Sequence, residues 1–563
     1  MRSTIIERLF EKGVLVHKDF LDQPLQESLL ERIEAEADIL VLNSDYAEVL
    51  SQSTSLVDWY ELDGCRVEVE RERDDELYQS HLREFRNSLL HVNHHVQPQE
   101  LSNLEVQLHN HSSVEFTTED STLQELPSPH SVAATEDFSQ SPVSVIISFQ
   151  NIPKKYEVKD FTSFFISRYH FIEKILRNRQ ELQNILTINR VLAKSEREAV
   201  SIIGVVVEIA QTKTGNLMIT IEDLTGQMRG IVTKSKADLF NDAKELVVDE
   251  VIGLCGTRSD KIMFIEKIIW PDVPASSEIK KKEGVSESDD EYAIFLSDIH
   301  VGSALFLGEE FDRFLHWING NAGNEEQREM AQKVKYIFMV GDLVDGVGIY
   351  PTQESELAIK DIVGQYAEFT RLVKKIPTNK QIIMCPGNHD VVHIAEPQPA
   401  IYQEYAPELT LLPNVTLVTN PAMVNIGKTD TFSGFDVLMY HGYSFDYYVA
   451  HVESIRNGGG YQRADLIMKF LLKRRHLAPA FKSTPYFPGH SEDPLLIKRI
   501  PDFFVTGHIH YSSVANYKGI TMISCSCWQG KTTFQEKLGH KPEPARLPIV
   551  NLRTREIKVL RFG

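Results

Sequence analysis

The sequence predicts a multi-domain α+β protein with a helical N-terminal domain, an OB-type β-barrel and a C-terminal α/β sandwich. Three observations carry this reading. At 563 residues the chain is too long for one hydrophobic core. Residues 199–273 hold five short, β-rich runs separated by turn signals, and residues 291–563 alternate apolar strand-like runs with helical patterns.

Residues 1–86 place Ile5, Leu9, Leu29, Ile33, Leu40 and Leu50 among charged neighbours with almost no glycine, the pattern of the helical domain. Residues 87–158 read as a disordered acidic linker, because 87–153 contain no Lys or Arg and too little apolar surface to offset ordering entropy. Histidines inside it, among them His91, His94, His95, His109 and His111, read as solvated side chains rather than a metal site. Connecting amphipathic helices are expected over 159–198. There Asp160 is the N-cap candidate, and Phe161, Phe164, Phe165, Phe171, Ile172, Ile175 and Leu176 recur at helical spacing.

In the barrel, strands are expected at 202–209, 217–222, 228–233, 251–255 and 262–269, with turns at Thr214-Gly215 and Thr225-Gly226. Its main aromatics, Phe264 and Trp270, are few for a surface that stacks bases. A Ser-, Glu-, Lys- and Asp-rich linker at 274–290 leads into the last domain, 291–563. There helices are expected near 310–318, 354–375 and 464–475, and late strands at 519–525, 548–552 and 557–562.

The net charge of −21 means that the surface as a whole repels nucleic acid, so any DNA contact is local or shared with a partner. Five cysteines, an odd number lying mostly in apolar runs, point to a reducing, cytoplasmic compartment. No stretch approaches the ~18 apolar residues of a membrane span, and no apolar signal core opens the chain, so a soluble intracellular protein is expected.

The chemistry lies in five motifs, each directly after an apolar run: Ser297-Asp298-Ile299-His300, Gly341-Asp342-Leu343-Val344-Asp345, Gly387-Asn388-His389-Asp390, Tyr440-His441-Gly442 and Gly507-His508-Ile509-His510. Strand ends are where α/β folds gather their sites. One Asp-x-His pair means little among 20 histidines, but five matched motifs point to a two-metal phosphoesterase. Asp298, His300, Asp342, Asn388, His441, His508 and His510 are the candidate ligands. Carboxylate with imidazole suits Mn2+, Fe2+ or Zn2+ better than Ca2+ and does not single out one metal; two divalent ions are expected, Mn2+ first, with Mg2+, Fe2+ and Zn2+ left open. Asp342 is the expected bridge, since two close cations need shared negative charge. Gly341, Gly387 and Gly507 are expected to let the backbone turn beside the ions. His389 is the expected general acid or phosphate-orienting group, with Asp345 as the acceptor fixing its tautomer. The expected nucleophile is a metal-bound hydroxide, so no serine or cysteine is called for.

These motifs resemble the calcineurin-like metallophosphoesterase superfamily. The segments 471–479, 501–510, Trp528-Gln529 and Phe534-Gln535 resemble, within it, the small-subunit family of archaeal D-family DNA polymerases, over about residues 160–563. The resemblance implies a 3′ to 5′ exonuclease that proofreads for a separate large polymerase subunit, acting on single-stranded or mismatched DNA 3′ ends. It also implies one ion on Asp298, His300, Asp342 and His510 and a second on Asp342, Asn388, His441 and His508. The related B-subunits of eukaryotic polymerases keep this architecture without the ligands, whereas here the set is intact.

Two other functions compete. Phosphatases resembling this superfamily carry Arg directly after Gly-Asp-x-x-Asp, where this chain has Gly346. An architectural subunit without nuclease activity would fit replaced ligands, and none is replaced. Gly530-Lys531-Thr532 lacks the glycine a P-loop requires, because position 525 is Cys525. Cys525 and Cys527 lack a second pair and read as buried strand residues. Lys469, Lys473, Arg474 and Arg475 form a basic run fit for DNA phosphates, a solvated helix face or a subunit contact.

Overall fold

The computed structural model describes residues 15–16, 41–42, 143–149, 155–194, 197–274, 279–282, 286–488, 492–537 and 541–563. The chain divides into two units, Met1–Ala133 and Ala134–Gly563. In the first, Leu15–Val16 and Val41–Leu42 pair in parallel as short strands, where helix is expected from the sequence. Each joins one Val to one Leu, and the chain between them is long enough for the crossover that a parallel pair requires. The rest of the expected helical domain and the histidine-bearing part of the linker lie outside the described residues.

The linker reading needs correction at its end. Val143–Ile147 is an edge strand, antiparallel to Ala422–Ile426. Next comes the helix Val158–Arg177, which begins earlier than expected: Glu157 is its N-cap, and the Asp160 carboxylate accepts from the Glu157 N–H at 2.9 Å. Phe164, Tyr169, Ile172 and Leu176 form its buried stripe.

The barrel strands are Ala199–Gln211, Leu217–Asp223, Gly226–Val232, Val251–Ser259 and Ile262–Ile269. They close into a five-stranded barrel in which the last strand lies parallel to Gly226–Val232 and antiparallel to Val251–Ser259. A bulge between Val206 and Glu208 bends the long first strand so that it pairs with two neighbours. Inward Ile202, Val206, Ile219, Ile221, Ile252, Leu254 and Ile265 fill the interior. Asp223 builds the second turn, its carboxylate accepting from the backbone of Thr225 at 2.8 Å and Gly226 at 3.1 Å.

Two six-stranded sheets form the remainder. The first runs Val415–Leu417, Gln381–Cys385, Val334–Val340, Tyr292–Leu296, Arg546–Asn551 and Ile557–Arg561; the second runs Ser513–Tyr517, Ile520–Ser524, Phe503–Thr506, Phe435–Met439, Ala422–Ile426 and Val143–Ile147. Their inner faces share one core of Phe295, Phe338, Ile383, Val437, Phe503 and Val505. The helices Gly308–Ile318, Glu325–Lys333 and Ile362–Val373 cover the outer face of the first sheet. The second is covered by Phe445–His451, Glu453–Asn457 and Ala464–Arg474. The helix expected over 354–375 is broken: a 3-10 turn, Gln353–Glu356, precedes Ile362–Val373, whose Asp361 cap accepts from Gly364 N–H at 2.6 Å. Among the described residues no helix is long and apolar enough to cross a membrane.

The barrel is pinned to the second sheet's helices by a buried cluster. Glu250 pairs with Arg474 at 2.8 Å and accepts from the Trp270 indole at 3.0 Å, and the Lys473 ammonium lies 3.6 Å above the Trp270 ring. Trp270 is therefore buried, whereas Phe264 is exposed. Arg475 is likewise committed, donating to the Ile497 carbonyl at 2.7 Å. Three of the four residues of the basic run, Lys473, Arg474 and Arg475, thus hold the fold together.

Candidate metal centre

The three parallel strands Tyr292–Leu296, Val334–Val340 and Gln381–Cys385, with Phe435–Met439 and Phe503–Thr506 from the facing sheet, each end immediately before one ligand motif. The chain must leave a strand and present a side chain within one or two residues. Asp298, His300, Asp342, His508 and His510 do so in the left-handed region, with φ of 50, 54, 51, 71 and 55°. Five non-glycine residues in that region within one site are a concentration of backbone strain of the kind that functional sites hold.

The glycines before the ligands serve two purposes. Gly341 has φ +82° and meets the expected backbone role. Gly387 and Gly507 lie outside the left-handed region and are needed for space: a β-carbon would sit 2.3 Å from the Asp342 carboxylate at 387 and 2.6 Å from that of Asp298 at 507.

Two donor triads result, Asp298 with His300 and His510, and Asp342 with His441 and His508; a third grouping joins His300, Asp342 and His389. The Nε2 atoms of His300 and His510 lie 3.1 Å apart. Two imidazole nitrogens each about 2.0–2.1 Å from one ion are separated by roughly 2.9–3.4 Å, so this approach fits a shared cation. Asn388 Oδ1 lies 3.0 Å from His441 Nε2, and Asp342 Oδ2 lies 3.2 Å from the same nitrogen and 3.8 Å from His300 Nε2. Asp342 thus stands between the triads. The carboxylates of Asp298 and Asp342 are fully buried, and their ion-pair partners among the described residues are histidines. Burial raises both carboxyls, yet the imidazoles outweigh it: His510 and His441 hold Asp298 below the ordinary range, and His441, His389 and His300 hold Asp342 well below it. Buried anions without lysine or arginine call for another cation, and hard oxygen donors mixed with imidazole suit a divalent metal.

Each imidazole is fixed through one nitrogen, leaving the other for the centre. His300 Nδ1 meets the Asp345 carboxylate at 3.1 Å and His441 Nδ1 the Val340 carbonyl at 2.9 Å. His508 Nε2 meets Asp446 at 3.0 Å and His510 Nδ1 the Gln535 amide at 3.0 Å. Such outer partners set ring orientation and ligand basicity. His389 Nδ1 lies 2.7 Å from the backbone carbonyl of Asp345. The residue expected from the sequence therefore holds His389, but through its main chain. Its carboxylate serves His300 and accepts from Gln529 at 2.8 Å and Gln353 at 3.1 Å.

Sequence reasoning missed several supports. Asp390 staples two ligand loops, accepting from Gly387 N–H at 2.8 Å, Leu343 N–H at 3.2 Å and the Tyr366 hydroxyl at 2.8 Å. Burial, with Asp342 nearby, pushes its carboxyl up to about 6. Asn420 accepts from His441 N–H at 2.8 Å. Gln529 and Gln535 stand in segments singled out by resemblance alone, where the sequence gives the residues but not their partners. Cys525 and Cys527 are fully buried, but they lie after the end of the strand Ile520–Ser524 rather than in a strand.

A family model for the B-subunits of DNA polymerases alpha and epsilon matches residues 293–514. The DNA polymerase II small subunit of Methanothermobacter thermautotrophicus is 38% identical over 396 residues, covering 70% of this chain and 78% of that one. That of Archaeoglobus fulgidus is 37% identical over 393 residues, covering 70% and 75%, and that of Pyrococcus furiosus 35% over 408 residues, covering 72% and 64%.

Proposed function

Because the chain belongs to the DNA polymerase II small subunit family, we propose that its metal centre is a 3′ to 5′ exonuclease site proofreading for a large catalytic subunit. On this reading the closed barrel is an OB-fold, the paired sheets are a calcineurin-like phosphoesterase domain, and the barrel surface docks the large subunit. The observation that carries the proposal is the pair of donor triads around Asp342 with His389 beside them.

Asp298, His300, Asp342 and His510 would hold one divalent ion, Mn2+ being the first choice, and Asp342, Asn388, His441 and His508 the other. Such ions supply charge neutralisation for an in-line displacement at phosphorus and a water activated at neutral pH. The chain's own residues do the rest. The Asp345 carbonyl accepts from His389 Nδ1, which leaves Nε2 to carry the proton passed to the leaving 3′ oxygen. Burial pulls the His389 imidazole down, and Asp342 opposes that pull. Gln529 and Gln353 hold the Asp345 loop that positions both His300 and His389.

Gly346 weighs against a phosphomonoesterase. It has φ +74°, and a β-carbon there would lie 2.4 Å from the His389 carbonyl, so an arginine gripping a terminal phosphate is barred from this position. The test is incubation with Mn2+ and a 5′-labelled single-stranded oligonucleotide, beside His389→Ala. The proposal expects a 3′ to 5′ ladder from the parent and a rate lower by about 10²- to 10⁴-fold in the variant, at unchanged metal content. No digestion by the parent, alone or with the large subunit, would instead make it an architectural subunit.

A further inference from the structure

The exonuclease reading leaves substrate grip unexplained. Among the described residues no lysine or arginine forms an ion pair with Asp298, Asp342 or Asp345, and position 346 bars one. Ions at the centre would hold any phosphodiester alike, so recognition of a nucleic acid strand must come from the rim.

The rings of the site form a row. Tyr350 lies 6.4 Å from His389, His389 lies 4.7 Å from His300, and His300 lies 5.0 Å from His510. Across Asp342, His441 lies 5.3 Å from His508, and His508 lies 5.8 Å from Tyr443. A half-buried tyrosine therefore ends the row on each side. Tyr350 is fixed by its hydroxyl, which donates to Glu356 at 2.8 Å, and shares a loop with exposed Val347. Tyr443 follows Gly442, whose φ of +116° turns the chain directly after the ligand His441. Every nucleobase has a face that stacks on such rings, whatever its sequence, as an exonuclease requires.

Resting on the exonuclease reading, we propose that Tyr350 and Tyr443 are base-stacking surfaces on opposite sides of the scissile phosphate, so that the centre takes two adjacent nucleotides of a single strand. The competing role is structural, with the rings acting as walls that stiffen His389 and His508.

A cycle between enzyme and substrate separates the two. Full-length chain is given single-stranded oligonucleotides that are intact, or abasic at the terminal or the penultimate 3′ position. The parent is compared with Tyr443→Leu, Tyr350→Leu and Tyr350→Phe, the last keeping the ring while losing the Glu356 bond. KM is read with Mn2+, and equilibrium affinity by fluorescence anisotropy in EDTA. Removing a ring or its matching base should each weaken KM and affinity about 5- to 150-fold. Removing both should weaken them no further, with kcat little changed and Tyr350→Phe close to the parent. Losses that multiply, a parent indifferent to abasic positions, or no binding at all would overturn the proposal. The parent comparison needs no variant, so a misfolded variant does not block it. Coupling in anisotropy without any cleavage would keep the stacking surfaces and remove the nuclease.

Discussion

Asp345 offers the centre two different acceptors, a carbonyl for His389 and a carboxylate for His300. The two can be separated by substitution. Asp345→Asn keeps the carbonyl, so His389 keeps its orientation, while His300 loses a charged partner. Metal affinity should fall about 10- to 100-fold, with the rate at saturating Mn2+ largely retained, as calorimetric titration beside turnover would show. Equal loss of rate at saturation would mean that the carboxylate acts on His389 after all. The sequence placed Asp345 beside the site because it stands three residues after Asp342, but spacing cannot distinguish main chain from side chain. The same limit hid Gln353 and Gln529, since a glutamine acquires its role only from the partner that folding brings to it.

At the scale of elements, the helix Val158–Arg177 is tied to the sandwich by a buried triad. Arg168 meets Asp493 at 2.6 Å, and His476 meets the same carboxylate oxygen at 2.8 Å. Arg168→Met leaves Asp493 with the His476 ring and the Leu495 N–H but without its guanidinium, and should destabilise the fold by about 3–5 kcal/mol, read from urea midpoints. The triad also sets an acid limit. Burial, with Arg168 alongside, pushes His476 down to about 4. The unfolded chain takes up that proton near pH 6.5 and the folded chain only near 4, so stability is full above about 6.5 and declines as pH falls through this window. Asp493, held low by Arg168 and His476 against burial, adds its loss at more acid pH. In His476→Gln the fall in urea midpoint from pH 7 to pH 5 should be shallower. Strands with strong apolar runs, such as Val334–Val340 and Gln381–Cys385, were legible because buried parallel strands are nearly continuously apolar. Val143–Ile147 was not, because five residues within a long polar stretch leave its composition almost unchanged, and their order comes from pairing with Ala422–Ile426.

At the scale of the whole molecule, barrel and sandwich belong to one compact unit, pinned through Glu250, Trp270 and Arg474. Burial pushes Glu250 up and Arg474 down, so each is stable as an ion only beside the other. Glu250→Ala should therefore uncouple the barrel, splitting one calorimetric transition of residues 134–563 into two; one unsplit transition at the parent's temperature would refute the pin. The left-handed ligand positions act on the same balance over a longer time. Each holds an L-residue in a conformation about 1 kcal/mol or more above its alternatives, a load that ions bound there would offset and the bare fold carries. His508→Gly should consequently melt higher than the parent in EDTA and lower in Mn2+. In a lineage that no longer used this centre, replacement of these residues by glycine would be favoured rather than merely tolerated, and the site would be lost along a path on which each such substitution relieves backbone strain.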